Sequence, residues 1–180
     1  MYNTDSYSEY MKREEKARYE NMIPQGKYNW QIEKAEVGQV DTAPRLMIQH
    51  RIIASDGGHV GRTHFEFVNW YANEASPSPK PHAERERNLR GLSGRKLDSY
   101  LGALATSPSS TQVQGDDLNA YISELRAADD TEEVSELMGN IGLLLEGQQI
   151  TGRVRHKDEW TNLIPLEFDT AIGSAQEVAV

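Results

Sequence analysis

From Tyr28 the chain alternates apolar and polar positions. Tyr28, Trp30 and Ile32 fall on one phase, and the apolar positions resume on the other at Ala35 and Val37. A period of two predicts a half-buried strand, and a phase change inside one run predicts a β-bulge that bends it. A second run sets Leu46, Ile48 and Ile52 against Arg45, Met47, Gln49 and Arg51. The turn residues Asp56-Gly57-Gly58 lead into a third, where Phe65 and Phe67 alternate with His64, Glu66 and Val68. Together these runs predict a β-meander.

The segment Ala-Ser-Pro-Ser-Pro-Lys-Pro-His over 75–82 ends the meander, because closely spaced prolines exclude regular structure. Helical spacing follows three times: Leu89, Leu92, Leu97, Tyr100, Leu101 and Leu104; then Leu118, Tyr121, Ile122 and Leu125; then Val134, Leu137, Met138 and Ile141. Asp116 or Asp117 and Thr131 are the expected N-caps of the last two. Two further strands are predicted at 150–155 and 163–168, joined by the polar hairpin Lys157-Asp158-Glu159, with Trp160 in the loop. Three strands, a helical insertion and two strands is the order of a five-stranded OB-fold barrel, mainly β, with its helices between strands 3 and 4. The competing architecture is an α+β domain with an open antiparallel sheet. In the barrel, the face of strands 2 and 3 and the loops 1–2 and 4–5 bind oligonucleotides or oligosaccharides.

Chain organisation follows from the same pattern. Residues 1–22 form a polar arm that can be helical. Residues 23–168 form the OB-fold domain, with its insertion at about 84–142, and 169–180 are expected as a flexible tail. With 180 residues, one core is affordable in size, and a mean hydropathy of -0.69 favours a soluble chain. No apolar run approaches the roughly 18 residues of a membrane span, and the polar arm predicts no signal peptide. The absence of cysteine excludes disulfides, thiolate catalysis and cysteine-ligated metals, which allows a cytoplasmic setting.

The net charge of -9 argues against nucleic-acid binding until it is localised. Residues 116–146 hold nine acids and one base, Arg126, so the remaining chain is nearly neutral. Local fields govern polyanion binding, which leaves room for a basic groove. The fourth strand puts Ile150, Gly152 and Val154 on one face and Thr151, Arg153, Arg155 and Lys157 on the other. Three cations on one face beside Trp160 suit a phosphate backbone with a stacked base. Arg45 and Arg51 on the second strand, Arg62 in the next turn and His64 on the third strand's polar phase extend the candidate surface. Trp70 ends that strand on the polar phase and is a second stacking candidate, whereas Trp30, Phe65 and Phe67 are assigned to the core. A solvated strand face also alternates in this way, so the recurrence on two strands carries the reading.

Other motifs are weaker. Gly91-Leu92-Ser93-Gly94 matches the GxxG of a KH loop but lacks its αββα context, and the basic residues from Arg85 to Lys96 read as a helix face or a cationic lip. The five histidines show no HExxH spacing, and there is no Walker A, GxGxxG or GxSxG sequence. The carboxylates around Asp129 and Glu132 read as a solvated helix start rather than a magnesium site. No catalytic residue, metal or cofactor is expected.

The residues Ile23-Pro24-Gln25-Gly26-Lys27-Tyr28, Gly61-Arg62 before Phe65, Gly147 before Ile150-Thr151-Gly152-Arg153-Val154, and Asn162 carry a resemblance. Over about 23–168 the chain resembles a family of bacteriophage OB-fold single-stranded-DNA-binding proteins. The resemblance implies DNA replication or recombination work in a host cytoplasm. It also implies single-stranded DNA as the ligand, with replication or recombination proteins and a second copy of the chain as admissible partners. The chain departs from the acidic tail of many such proteins, since 173–180 holds only one charge, Glu177. The alternative function is a protein-interaction module that uses its acidic helices and binds no nucleic acid.

Overall fold

The computed structural model describes residues 9, 12, 13, 21–40, 42–74 and 77–173, so most of the arm expected over 1–22 lies outside the described residues. The elements run β1 (Gly26–Val40), β2 (Ala43–Ala54), β3 (Thr63–Asn69), α1 (His82–Ala105), α2 (Gln112–Ala127), α3 (Thr131–Leu145), β4 (Gln149–Lys157) and β5 (Trp160–Leu166). The bulge in β1 is present: Ile32 faces His50 and Lys34 faces Gln49, which leaves Glu33 without a partner position and changes the phase of everything after it.

All strand pairs are antiparallel, in the order β3-β2-β1-β4-β5. The sheet is open. The five-stranded OB barrel expected from the element order is therefore incorrect, since closure requires β3 to pair with β5. The Leu163 N–H of β5 donates instead to the Glu66 carboxylate of β3 (2.8 Å). Helix α1 occupies the other side of the gap: Ser93 Oγ donates to Asn69 O (2.6 Å) and Lys96 Nζ to Phe67 O (3.3 Å). Edge groups that would pair in a barrel are thus taken by side chains. The architecture is two-layered α+β, an antiparallel sheet with three helices on its inner face.

That inner face carries Trp30, Ile32, Leu46, Ile48, Ile52, Ile150 and Val154, packed against Leu97, Tyr100, Leu104 and the apolar stripes of α2 and α3. Two glycines set the closeness of the layers. A Cβ on Gly142 of α3 would lie 2.4 Å from Ala35 O, and one on Gly152 would lie 2.9 Å from Trp30 Nε1. The Trp30 indole uses that space to donate to Gly152 O (3.2 Å). Both helix starts differ from expectation, that of α2 by about a turn and a half and that of α3 by one residue. Thr111 caps α2 in a reciprocal box with Gln114, and Asp130 caps α3 through the amides of Glu132 and Glu133. Gly91-Leu92-Ser93-Gly94 lies inside α1, so it forms no backbone-clamping loop.

β3 faces the opposite way from expectation. Its apolar residues occupy both phases, and Glu66, Val68 and Trp70 are buried while Phe65 points outward. The inward phase is fixed by a polar network. Glu66 accepts from His64 Nε2 (2.9 Å), Lys96 Nζ (2.7 Å) and Leu163 N; His50 Nδ1–H donates to His64 O (3.2 Å) and His50 Nε2 accepts from Tyr100 OH (2.8 Å). Burial alone raises a carboxyl's pKa; here the His64 hydrogen bond and the Lys96 charge outweigh it and hold Glu66 at about 2. Desolvation lowers His50 to about 4, aided by the positive field of His64.

After β5 the chain turns onto the outer face. Residues 169–173, expected as the start of a flexible tail, are hydrogen-bonded to it: Asp169 N donates to Thr151 Oγ1 (2.6 Å), Asn29 Nδ2 donates to Asp169 O (3.1 Å), and Gly173 N donates to Asp56 Oδ1 (3.0 Å).

Glu66→Gln leaves Lys96 and His64 without their charged partner, and urea unfolding should show a loss of roughly 3 kcal/mol. Both shifted groups sit below their ordinary values, so the folded protein resists protons that the unfolded chain accepts. Stability should fall from pH 6.5 towards 4 through His50, then from 4.5 towards 2 through Glu66. Glu66→Gln should abolish the lower window and keep the upper one, since the loss of the Glu66 charge moves His50 further down; an unchanged acid profile would remove Glu66 from the account.

Candidate nucleic-acid interface

The outer face is assembled by strand register. On β4, Arg153, Arg155 and Lys157 share one side, as the alternation predicts, and lie about 6.7 Å apart in succession. β1 brings Lys27 opposite Arg153. On the other flank β5 sets Ile164 beside Arg153, Asn162 beside Arg155 and Trp160 beside Lys157. Trp160 is the first residue of β5 rather than part of a loop, and it is 74% exposed. A column of cations therefore runs beside a column of side chains that ends in an uncovered indole.

Pairing separates these cations from several others. Among the described residues, Lys27, Arg153, Arg155 and Lys157 meet no carboxylate, carbonyl or aromatic ring. Arg51, on the same face, is held by Glu33, and Arg45 lies 4.4 Å above the Phe67 ring. Arg90, Lys96 and Arg126 are paired with Glu86 and Asp129, Glu66, and Asp98. Unpaired cations that share a strand face keep their full charge available to a ligand.

Of the expected site residues, Arg153, Arg155, Lys157 and Trp160 come together. Arg45 and Arg51 share the outer face but lie across the segment Glu167–Gly173, which passes over Asn29 and Thr151 between the two groups. Three residues are engaged elsewhere. Arg62 donates to the carbonyls of Asn21 and Met22, which clamps the entry to β1. His64 points into the buried network because β3 turns its even-numbered side chains inward. Trp70 is 2% exposed, with Arg90 5.7 Å above its ring and donating to its carbonyl.

Sequence reasoning missed Lys27 and the outward Phe65, which is 43% exposed. Lys27 joins Arg153 only through the β1–β4 register, for which a single strand carries no signal. For Phe65, the signal was the pair Val68 and Trp70 on the opposite phase of the same strand. The acids of 116–146 lie on α2, α3 and their flanks in the layer behind the inner face, across the sheet from the cation column. A cleft of about 610 Å³ also opens between the start of β2 and the first turns of α1, lined by both signs of charge, including Arg45, Glu74 and Glu86. Its mixed lining suits a polyanion less than the cation column does. Among the described residues no three His, Asp or Glu side chains converge as a metal site requires, and no helix is long and apolar enough to cross a membrane.

The three tryptophans give an independent check on this placement. Iodide should quench only Trp160, since Trp30 and Trp70 are buried. Trp160→Ala should abolish the quenchable fraction; a quenchable fraction that survives would place another indole at the surface. Compared with known proteins, the chain matches no family model, no curated protein and no solved structure.

Proposed function

We propose that this protein binds single-stranded DNA on the outer face of its sheet, at Lys27, Arg153, Arg155, Lys157 and Trp160. The observation that carries the reading is the coincidence of four cations, unpaired among the described residues, with one exposed indole on adjoining strands. Phosphates meet the cation column, and a base unstacked from its neighbours lies on the Trp160 ring. A duplex buries its base faces, so the indole has nothing to stack on and selectivity for single strands follows. No group in the patch reads base edges in a fixed geometry, which makes the binding tolerant of sequence. The net charge of -9 does not oppose this, because the acids cluster behind the sheet and surface fields are screened over about 10 Å in ordinary salt.

Titration with oligo-dT should give an affinity that falls with salt. With about four phosphates neutralised, the log–log slope should be near -3, at about -0.7 per contact. Salt-independent binding, or equal affinity for blunt duplex, would count decisively against the patch. Trp160→Ala should weaken binding by about tenfold or more with the slope nearly unchanged, because stacking contributes roughly 1–3 kcal/mol per base. Arg153→Ala should instead reduce the slope by about one contact. Since Trp160 is exposed, its removal should leave the melting temperature almost unmoved; lost binding that tracked lost fold would exclude it from the site.

A further inference from the structure

Side chains on the solvent side of an open sheet ordinarily meet water. Asn29 and Thr151 point to that side, yet they are only 4% and 1% exposed. The cover is the chain's own segment Glu167–Gly173. Thr151 Oγ1 donates to Asn29 Oδ1 (2.7 Å) and accepts from Asp169 N, while Asn29 Nδ2 reaches the carbonyls of Asp169 and Ile172. Phe168 N donates to Thr106 Oγ1 (2.7 Å) and Gly173 N to Asp56 Oδ1 at the two ends. We infer that Asn29 and Thr151 are contact positions for the bound strand, and that Glu167–Gly173 occupies them in the free protein as a displaceable cover.

This inference rests on the reading of the Lys27–Trp160 patch as a single-strand site. Three observations support it. Asn29 and Thr151 occupy the row directly beyond Lys27 and Arg153, so a strand that follows the cations towards β2 meets them next. Both side chains donate and accept hydrogen bonds, the property by which amides and hydroxyls hold phosphate and sugar. The cover is also separable from the fold. Its apolar anchor Ile172, and Ala54 beneath the same crossing, are buried but stand outside the central core, so lifting the segment opens no core contact. The segment carries Glu167 and Asp169, and the backbone of Asp169 sits on Thr151, one row from Arg153, so the field that draws DNA also acts on the cover. Ligand and cover therefore compete for one row, and a long strand binds more weakly by the fraction of molecules with the cover closed.

Hydrogen exchange of the full chain, free and saturated with oligo-dT of about five or about fifteen nucleotides, tests this. The short strand should leave the amides of Phe168, Asp169 and Gly173 protected, and the long one should speed their exchange by about tenfold or more. Ile172→Ala loosens the cover without touching the contact positions and should raise long-strand affinity about threefold while leaving short-strand affinity unchanged. Asp56→Ala, which removes only the anchor of Gly173 at a surface turn, should act in the same direction and guards against misfolding of the first variant. Amides that stay protected under the long strand overturn the cover, as does a loosened segment with unaltered long-strand affinity. If neither oligonucleotide binds, the functional reading falls and takes the cover with it; if both bind and the segment is unmoved, only the cover falls.

Discussion

A carboxylate placed between two strand edges has to be neutralised where it lies, and Glu66 imposes that requirement on the whole molecule. Its two oxygens accept from β3's own His64, from α1's Lys96 and from the backbone of β5. Removing water from a charge is expensive, and the geometry is tolerated only because each partner arrives from a different element. The same contact joins the first edge of the sheet to the last without hydrogen-bonding their backbones to each other. It explains both why the sheet curls and why it stays open, with α1 lying along the gap.

The outer face is a consequence of that arrangement. Turning Glu66 inward forces Phe65 outward, since successive side chains on a strand point to opposite sides. It also brings Lys96 into a pair, as the helix packing does for Arg90 and Arg126 with Asp129 and Asp98. Among the described residues, the cations on β4 and at the start of β1 meet no such partner, since the helices and the acids they carry lie behind the sheet. The segregation of charge between layers is therefore topological. A chain of net charge -9 still presents one cationic strand face.

The crossing of Glu167–Gly173 divides this face. Its anchors are hydrogen bonds from a few polar side chains and one buried isoleucine, Ile172, outside the central core, and such contacts are individually modest in water. The crossing leaves the Trp160 column open and separates it from the Phe65 side. The two halves of the outer face thus differ in character: one has free cations and an uncovered indole, and the other has ion-paired or ring-stacked arginines beside aromatic side chains.

Much of this was legible in the sequence. The period-two runs located β1, β2 and β4 and assigned their faces, and the phase shift between Ile32 and Ala35 marked the bulge, because local alternation suffices to tell a half-buried strand's two sides. The helical stripes of α2 and α3 were equally plain, as was the gathering of Arg153, Arg155 and Lys157 on one face; in α1 the stripe holds from Leu97 to Leu104, but Leu92, expected on it, is 59% exposed because Ser93 and Gly94 take the packed side there. What remained hidden depends on partners distant in the chain. The facing of β3 could not be read because both of its phases hold apolar residues, and only Lys96, His50 and Tyr100 make it favourable to bury His64 and Glu66. Closure of the sheet turned on one side-chain acceptor for Leu163 N–H, Lys27 entered the patch through strand register, and the cover over Asn29 and Thr151 bridges about 140 residues of sequence. Local pattern records which side of an element is apolar; which element meets it, and whether a buried charge finds its counter-charge there, is decided only when the chain is folded.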